Sequence, residues 1–403
     1  MRKLYIIFAS LCSLVAFVAC EKNQPLDPDG EGWGDQEEIY IPGGNGAIFF
    51  DVRSKTKGVL LNTFPTGEPF NVLGYRYNGD WDVVKEGESS QVSTVTYTDP
   101  NGDITIEPKG VFYDSDTNTS GVQQVSWSGT SYGYTPLKQW VPSLVYSFFA
   151  WYPADCATVN GSGVDGDPYL TYDLPLPDPS ATNDVSAATA RAAMVDLLSA
   201  CKINHRKVDG MSVPLQMTHR LSALEMKASS LVKAKDLREL YGASYPQWSS
   251  LADDAPLTLN VTGFALNFNK IATKVKIPLN TRSSSFDYSV LSWKENVKFF
   301  NNYSVGNEGN NVSSAAQTFI KSEDILILIP QNEPITATGT IGYTISCGDF
   351  TASFEDHAET FIPNLSPGGF YRLLFTISKS GLVVKVEKAP SWDSLVEVDH
   401  DFQ

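Results

Sequence analysis

Positive charge and histidine are scarce in this chain, and each shortage removes a class of function. The 403 residues include 30 Lys plus Arg against 46 Asp plus Glu, a formal net charge of −16. Such a surface repels nucleic acid, so we expect no nucleic-acid partner. The four histidines, His205, His219, His357 and His400, are scattered, with none at metal-ligand spacing on one helix.

Cysteine is equally sparse. Beyond the N-terminal segment only Cys156, Cys201 and Cys347 occur, and no two of them have the spacing of metal ligands. Three cysteines cannot all pair, and the sequence leaves a Cys156–Cys201 disulfide open. Cys347 shares a predicted strand face with Tyr343 and Ile345, which predicts a buried thiol.

Motifs for catalysis are missing as well. There is no phosphate-binding loop and no zinc motif. Residues 129–133 match the nucleophile-elbow pattern around Ser131, but Pro136 soon follows where that motif requires a helix. His219 falls on the inward phase of its strand, and nothing near it in sequence supplies a nucleophile or a carboxylate partner, so we interpret it as a hydrogen-bonded core residue. We predict no catalytic residue, no metal, no cofactor and no enzymatic activity.

Long apolar runs are absent except at the N-terminus. Arg2 and Lys3 precede an apolar run over residues 4–18, which is too short to span a bilayer and is typical of a cleaved export signal. Residues 17–20, Phe-Val-Ala-Cys, approximate a lipoprotein signal in which Cys20 carries the lipid. The alternative is an ordinary secretory signal with a chance cysteine. Removing residues 1–19 leaves 384 residues (403 − 19) with a net charge of −18 (28 − 46).

The remaining pattern is mainly β. Residues 20–46 are acidic and rich in Gly and Pro, which predicts a flexible linker. Short alternating strands with turn residues between them follow from residue 47, and they predict β-sandwiches. Residues 187–200 and 231–241 have helical patterns. In residues 213–228 the apolar phase switches from odd to even positions, which predicts a β-bulge near Ser222. We place one sandwich domain at 47–235 and a second at 236–403.

Several segments taken together resemble the fimbrillin family, the pilins of lipoprotein-derived (type V) fimbriae in anaerobic gut and oral bacteria. They share a common order and spacing after a lipoprotein signal. They are residues 48–57 (IFFDVRSKTK), 145–153 (VYSFFAWYP), 213–224 (VPLQMTHRLSAL), 325–331 (ILILIPQ), 367–371 (PGGFY) and Trp392. The helical segment within residues 230–255 and Phe17 in the lipid signal depart from the family pattern.

The resemblance implies two transthyretin-like β-sandwich domains in tandem with a few short helices. It also implies export as a lipoprotein to the outer face of the cell outer membrane, and assembly into fimbriae by strand exchange. The expected partners are other pilin subunits, in a homo- or hetero-polymer, the outer membrane through the lipid, and a ligand on a host or bacterial surface.

Both ends of the chain carry candidate assembly residues. Ile48, Phe50 and Val52 share one face of a strand. Three basic residues, candidate cleavage sites for a trypsin-like protease, follow the last of them: Arg53, Lys55 and Lys57. Near the C-terminus, the apolar residues on one face are candidates for a donor strand: Trp392, Val396 and Val398.

The alternative function is a surface glycan-binding lipoprotein, which would share the signal, the linker and the sandwich fold. Coplanar exposed aromatic residues would favour it, because sugar rings stack on them. The candidates are Trp81, Trp127, Tyr132, Tyr134, Trp140 and Trp151. Large aromatic residues in β-sandwiches are more often core residues.

Cys20→Ser tests the predicted anchor. Because the acyl chains attach to this thiol, the variant should incorporate no labelled palmitate and should leave the membrane fraction for the soluble fraction. Labelling of cells followed by fractionation measures both. A variant that still takes up the label and sediments with membranes would show that Cys20 is not the lipidated residue.

Overall fold

The structure is a computed structural model of the chain. It describes residues 46–54, 67–84, 95–99, 102–106, 110–113, 116–128, 132–141, 144–160, 167–208, 211–280, 288–305, 311–320 and 324–389. In this part of the chain no helix is both long enough and apolar enough to span a bilayer.

Strands dominate the described residues. They are β1 (Phe50–Ser54), β2 (Phe70–Tyr77), β3 (Val95–Asp99), β4 (Gly102–Ile106), β5 (Val122–Trp127), β6 (Tyr132–Gly133), β7 (Val145–Tyr152), β8 (Thr158–Asn160), β9 (Tyr169–Asp173), β10 (Leu198–His205), β11 (Val213–His219), β12 (Ser222–Ser230), β13 (Thr258–Pro278), β14 (Ser289–Ser304), β15 (Gln317–Thr318), β16 (Leu326–Leu328), β17 (Ile335–Cys347), β18 (Phe350–Ile362), β19 (Phe370–Ser378) and β20 (Gly381–Ala389). The helices are α1 (Trp81–Val84), α2 (Val185–Ala192), α3 (Ala234–Tyr241) and a 3-10 helix (Pro246–Ser250). The predicted mainly β class is confirmed.

Seven strands of the first half form a closed sheet in the order β1-β11-β10-β7-β2-β5-β6. The sheet closes because β6 pairs with β1 at Tyr132 and Phe50. Its apolar face encloses an aromatic-rich core. The sequence predicts a sandwich of two separate sheets here. The structure instead has one closed sheet, because β1 pairs with a neighbour on each side.

Two further sheets form the second half. One has the order β15-β12-β19-β20, with β16 also paired to β12. The other has the order β18-β17-β13-β9-β8, with β14 also paired to β13. The rings of Phe264 on β13 and Phe375 on β19 meet edge to face, 5.2 Å between centroids, so these two sheets pack face to face as a sandwich. Strands β8, β9 and β12 join the sandwich although they precede residue 235, and the predicted domain boundary stays a prediction.

The predicted β-bulge near Ser222 is wrong, because the phase change marks a crossing between sheets. Strand β11 ends at His219 in the closed sheet, and β12 begins at Ser222 in the sandwich. The two residues between them, Arg220 and Leu221, are fully buried. The apolar residues of β11 at 213, 215 and 217 face the core of the closed sheet, and those of β12 at 224, 226 and 228 belong to the sandwich core, so the apolar phase reverses between the two strands.

The helical predictions are partly confirmed. Helix α3 ends before Gly242, as the sequence predicts, and its first turn is closed by the Asp236 carboxylate, which accepts a hydrogen bond from the backbone of Lys233 (2.9 Å). The helix predicted over 187–200 ends early. Helix α2 stops at Ala192, and Leu198 begins β10, which pairs with β7. Pairing in the closed sheet therefore overrides the helix propensity of residues 193–200.

The cysteines are thiols in this structure. Cys156, Cys201 and Cys347 are all half-buried and none forms a disulfide, so the Cys156–Cys201 disulfide that the sequence leaves open is not formed. The prediction of a buried Cys347 thiol is wrong, since this residue ends β17 directly before the turn at Gly348.

Arg191 fastens α2 of the first half to the sandwich. Its guanidinium donates to both carboxylate oxygens of Asp184 (3.1 and 2.8 Å) and to Asp324 (2.7 Å). It also donates to the carbonyl of Phe299 and lies 4.2 Å from the ring centroid of Phe300. Because the side chain is 1% exposed, two carboxylates and a ring take over the solvation that water would supply.

Gly339 lets the two sandwich sheets approach, which gives a test of the fold. A Cβ at this position would lie 2.4 Å from the buried ring of Phe375. We expect Gly339→Ala to lower the free energy of unfolding by about 1–3 kcal/mol, because the ring must shift in a packed core. Gly263→Ala is the matched control, since its Cβ would meet no atom closer than 4.0 Å. Equal denaturation midpoints for the two variants would contradict this packing.

Candidate functional site

Strand β1 lies between two neighbours that hold it in different ways. It runs parallel to β11 over five residues, from Phe50 opposite Val213 to Ser54 opposite Met217. On its other side it meets β6 at a single residue pair. Just before the strand, the backbone of Ile48 donates to Lys138 (2.9 Å). The ladder to β11 is therefore continuous, whereas the opposite seam is short.

Phe50 is the centre of this arrangement. Its side chain is 1% exposed and packs against rings from strands β2 and β7 and from two connecting segments. Ring centroids lie 5.4–6.4 Å from that of Phe50 for Phe70, Phe112, Tyr134 and Phe148. Edge-to-face and tilted contacts of this kind contribute more than their buried area alone. Burial in this cluster also raises the pKa of the Tyr134 hydroxyl.

A glycine makes room for two of these rings. A Cβ on Gly74 of β2 would lie 2.9 Å from the ring of Phe112 and 3.0 Å from the ring of Phe148. Both rings are fully buried, so any side chain at residue 74 would press them towards Phe50. The shape of the pocket around Phe50 thus depends on a residue that sequence patterning alone does not single out.

The other two apolar residues of the strand lie on the same face, as the sequence predicts. Ile48 is completely buried, and Val52 is half-buried against the same core. We call the volume that β1 occupies the β1 slot. Residues 213–217 form one side of it and residues 132 and 138–140 the other. Its floor consists of Phe70, Phe112, Tyr134 and Phe148.

The candidate processing residues are only partly within the described chain. Arg53 lies inside β1, opposite Gln216 on β11. The other candidate residues lie outside the described residues: Cys20, Lys55, Lys57, Trp392, Val396 and Val398. Their assigned roles stay predictions.

The aromatic residues considered for a glycan platform are core residues. Five of the six are buried, namely Trp81, Tyr132, Tyr134, Trp140 and Trp151. The sixth, Trp127, packs edge to face on Tyr132 with 4.9 Å between centroids. No coplanar exposed surface arises from this set.

His219 has a carboxylate partner that sequence reasoning missed. Its Nδ1 lies 2.7 Å from Oδ1 of Asp196, which comes 23 residues earlier, in the turn before β10. Burial raises the pKa of the Asp196 carboxyl, and the hydrogen bond with His219 opposes that rise. The pair fastens the end of β11 beside the crossing into the sandwich. Only the pairing of β10 with β11 brings the two residues together, so their separation in sequence carries no signal.

The described residues contain no cluster of three or more His, Cys, Asp or Glu side chains arranged to hold a metal ion. The charged groups that are buried here serve packing contacts between elements, as in the Arg191 and His219 pairs. The arrangement around β1 is instead an apolar strand site with backbone hydrogen-bonding groups on both sides.

No protein-family model and no curated protein sequence matches the chain. A fimbrial protein from Bacteroides vulgatus has a similar structure, with 17% identity, a TM-score of 0.55, and coverage of 86% of this chain and 100% of its own. A candidate cell adhesion protein from Bacteroides uniformis has 15% identity, a TM-score of 0.40, and coverage of 87% and 99%.

A third structure, a fimbrial assembly protein from Parabacteroides distasonis, has 9% identity, a TM-score of 0.30, and coverage of 87% and 97%. Of the three, the similarity to the Bacteroides vulgatus protein is close enough to establish a shared fold. The chain therefore has the fold of a solved fimbrial protein, which agrees with the resemblance to the fimbrillin family.

Phe50→Ala tests how much the aromatic pocket contributes to the stability of the fold. Emptying a fully buried site of this size should lower the free energy of unfolding by about 3–5 kcal/mol. Chemical denaturation followed by tryptophan fluorescence measures the loss. Phe361→Ala is the matched control, because that ring is 59% exposed and its removal should change the stability by less than about 0.5 kcal/mol. Similar losses in both variants would mean that Phe50 has no special role.

Proposed function

We propose that this protein is a structural or adhesive subunit of cell-surface fimbriae. It is exported as a lipoprotein, anchored through Cys20 at the outer face of the outer membrane, and assembled by strand exchange once a protease removes its first strand. The single observation that carries the proposal is the place of β1. This strand closes a sheet around Phe50, and basic residues follow within and just after it.

Removal of β1 would leave a site that another strand can fill. The backbone of residues 213–217 would lose its partner along one edge. Burial of Ile48 and Phe50 contributes roughly 3–6 kcal/mol, at about 1.5–3 kcal/mol for each side chain. An extended segment of another subunit could restore both the hydrogen bonds and this burial. The seam opposite β11 is less continuous, with one residue pair to β6 and, before it, the hydrogen bonds of residues 46–48 with residues 138–140.

The rest of the assembly follows from the ends of the chain. Cleavage after Arg53, Lys55 or Lys57 separates β1 from the remainder. Trp392, Val396 and Val398 supply the donor strand for a neighbouring subunit. The closed sheet and the sandwich form the body of the subunit, and an adhesion ligand on a host or bacterial surface completes the set of partners.

No enzymatic role is part of the proposal. The only buried His–Asp pair among the described residues lies where two strands are joined, and its contacts serve packing. The glycan-binding alternative loses its support, because the aromatic residues that suggested it are buried in the core or packed on it.

Basic-residue substitutions in the bacterium that makes the protein test this proposal. Cells expressing the wild-type chain should show it in a high-mass ladder on unheated gels, because strand-exchanged subunits resist detergent. The combined change Arg53→Ala, Lys55→Ala and Lys57→Ala should leave the protein uncleaved and monomeric. Deletion of residues 391–403 should shorten the ladder, since the donor strand is lost.

The control for this experiment is the pair Arg206→Ala and Lys207→Ala, in an exposed loop after β10. This variant should assemble as the wild type does. A ladder of normal length from the triple variant would refute cleavage at these residues, and the absence of any wild-type ladder would refute assembly by strand exchange.

A further inference from the structure

The β1 slot has three unequal positions, and they specify what can fill it. The position of Ile48 is closed, with no exposure of its side chain. The position of Phe50 is a pocket of four rings. The position of Val52 is half open. A strand that replaces β1 must therefore place an aliphatic residue, an aromatic residue and a second apolar residue at alternating positions.

The pocket at the centre is the most demanding of the three. Its floor is closely packed, because Phe112 and Phe148 lie directly over Gly74, and the ring of Tyr134 packs on that of Phe112 at 5.3 Å. A residue smaller than Phe leaves a cavity that packed neighbours cannot fill without moving. A polar residue at the Ile48 position would be buried without water.

The predicted donor segment of this same chain does not match that pattern. On its apolar face the alternating residues are Pro390, Trp392, Ser394, Val396 and Val398. With Trp392 in the central pocket, either Pro390 or Ser394 falls on the closed Ile48 position, whichever way the strand runs. Proline cannot donate the hydrogen bond that Ile48 makes to Lys138, and serine buries an unpaired hydroxyl.

The other registers underfill the pocket or bring in a polar residue. With Val396 or Val398 at the centre, a valine replaces the phenylalanine ring. Phe402 lies on the same face, but its neighbour there is His400, where the slot favours an aliphatic residue. In no register is an aromatic residue flanked by aliphatic residues on both sides.

We infer that the β1 slot selects a donor strand with the pattern aliphatic-x-aromatic-x-aliphatic, and that its partner is therefore a different kind of subunit from this one. This inference rests on the proposed strand exchange. Phe70, Phe112, Tyr134 and Phe148 are then the residues that determine specificity, with Gly74 positioning two of them. The protein would join a mixed polymer and would not polymerise with itself.

Peptide binding to the opened slot tests this inference. The protein used is the full chain with Cys20→Ser and a site-specific protease sequence inserted between β1 and β2. After cleavage, fluorescent peptides are added and their binding is followed by anisotropy. The reference peptide is residues 46–54, the native occupant. Three test peptides are compared with it: residues 46–54 with Phe50→Val, residues 391–403, and residues 391–403 with Val396→Phe. The control peptide is residues 46–54 with Asp51→Asn.

We expect the 46–54 peptide with Phe50→Val and the 391–403 peptide each to bind at least about tenfold more weakly than the reference peptide. Val396→Phe should recover several-fold of that loss, and Asp51→Asn should bind within about threefold of the reference. Equal binding of residues 391–403 and 46–54, or no loss from Phe50→Val, would overturn the selectivity while leaving strand exchange intact. If the reference peptide itself fails to bind, the result refutes the proposed strand exchange and, with it, the inferred selectivity.

Discussion

The first half of the molecule depends for its closed sheet on the packing of the Phe50 ring among four other aromatic rings. It brings β1 into the closed sheet, and β1 supplies the pairing that joins β11 to the opposite seam. A sheet closed in this way leaves no free edge. That closure depends on a strand with a five-residue ladder to β11 on one side and a single residue pair to β6 on the other.

The contacts that join the closed sheet to the sandwich lie away from β1. The chain passes from β11 to β12 through buried Arg220 and Leu221, and the His219–Asp196 pair lies beside this crossing. The guanidinium of Arg220 donates to the carbonyl of Pro278 (2.6 Å) on the sandwich side. The Arg220 bond therefore couples the crossing to the sandwich, and the Arg191 contacts hold α2 on the sandwich, without involving β1.

How far the sequence predicts this structure differs from one element to another. The mainly β class, the inward face of Ile48, Phe50 and Val52, and helix α3 follow from local periodicity and turn chemistry, which are properties of neighbouring residues. The end of α2 and the sheet crossing at residue 220 do not follow from local sequence. Both depend on which strands pair across the fold, and tertiary pairing overrides local propensity there.

The candidate site shows the same division. The apolar face of β1 and the basic residues after it can be found in the sequence. The pocket around Phe50 cannot, because its walls come from residues 70, 112, 134 and 148, and Gly74 acts through the absence of a side chain. Likewise, Asp196 becomes the partner of His219 only when β10 and β11 pair. In a single sequence, residues far apart carry no signal of their contact.

The central claim is that β1 is removed before the protein takes its place at the cell surface. The N-terminal sequence of the protein recovered from fimbriae tests it most directly. The account predicts a start at Ser54, Thr56 or Gly58, the residues that follow Arg53, Lys55 and Lys57. Assembled protein that still begins at an acylated Cys20, with residues 20–53 attached, would contradict it.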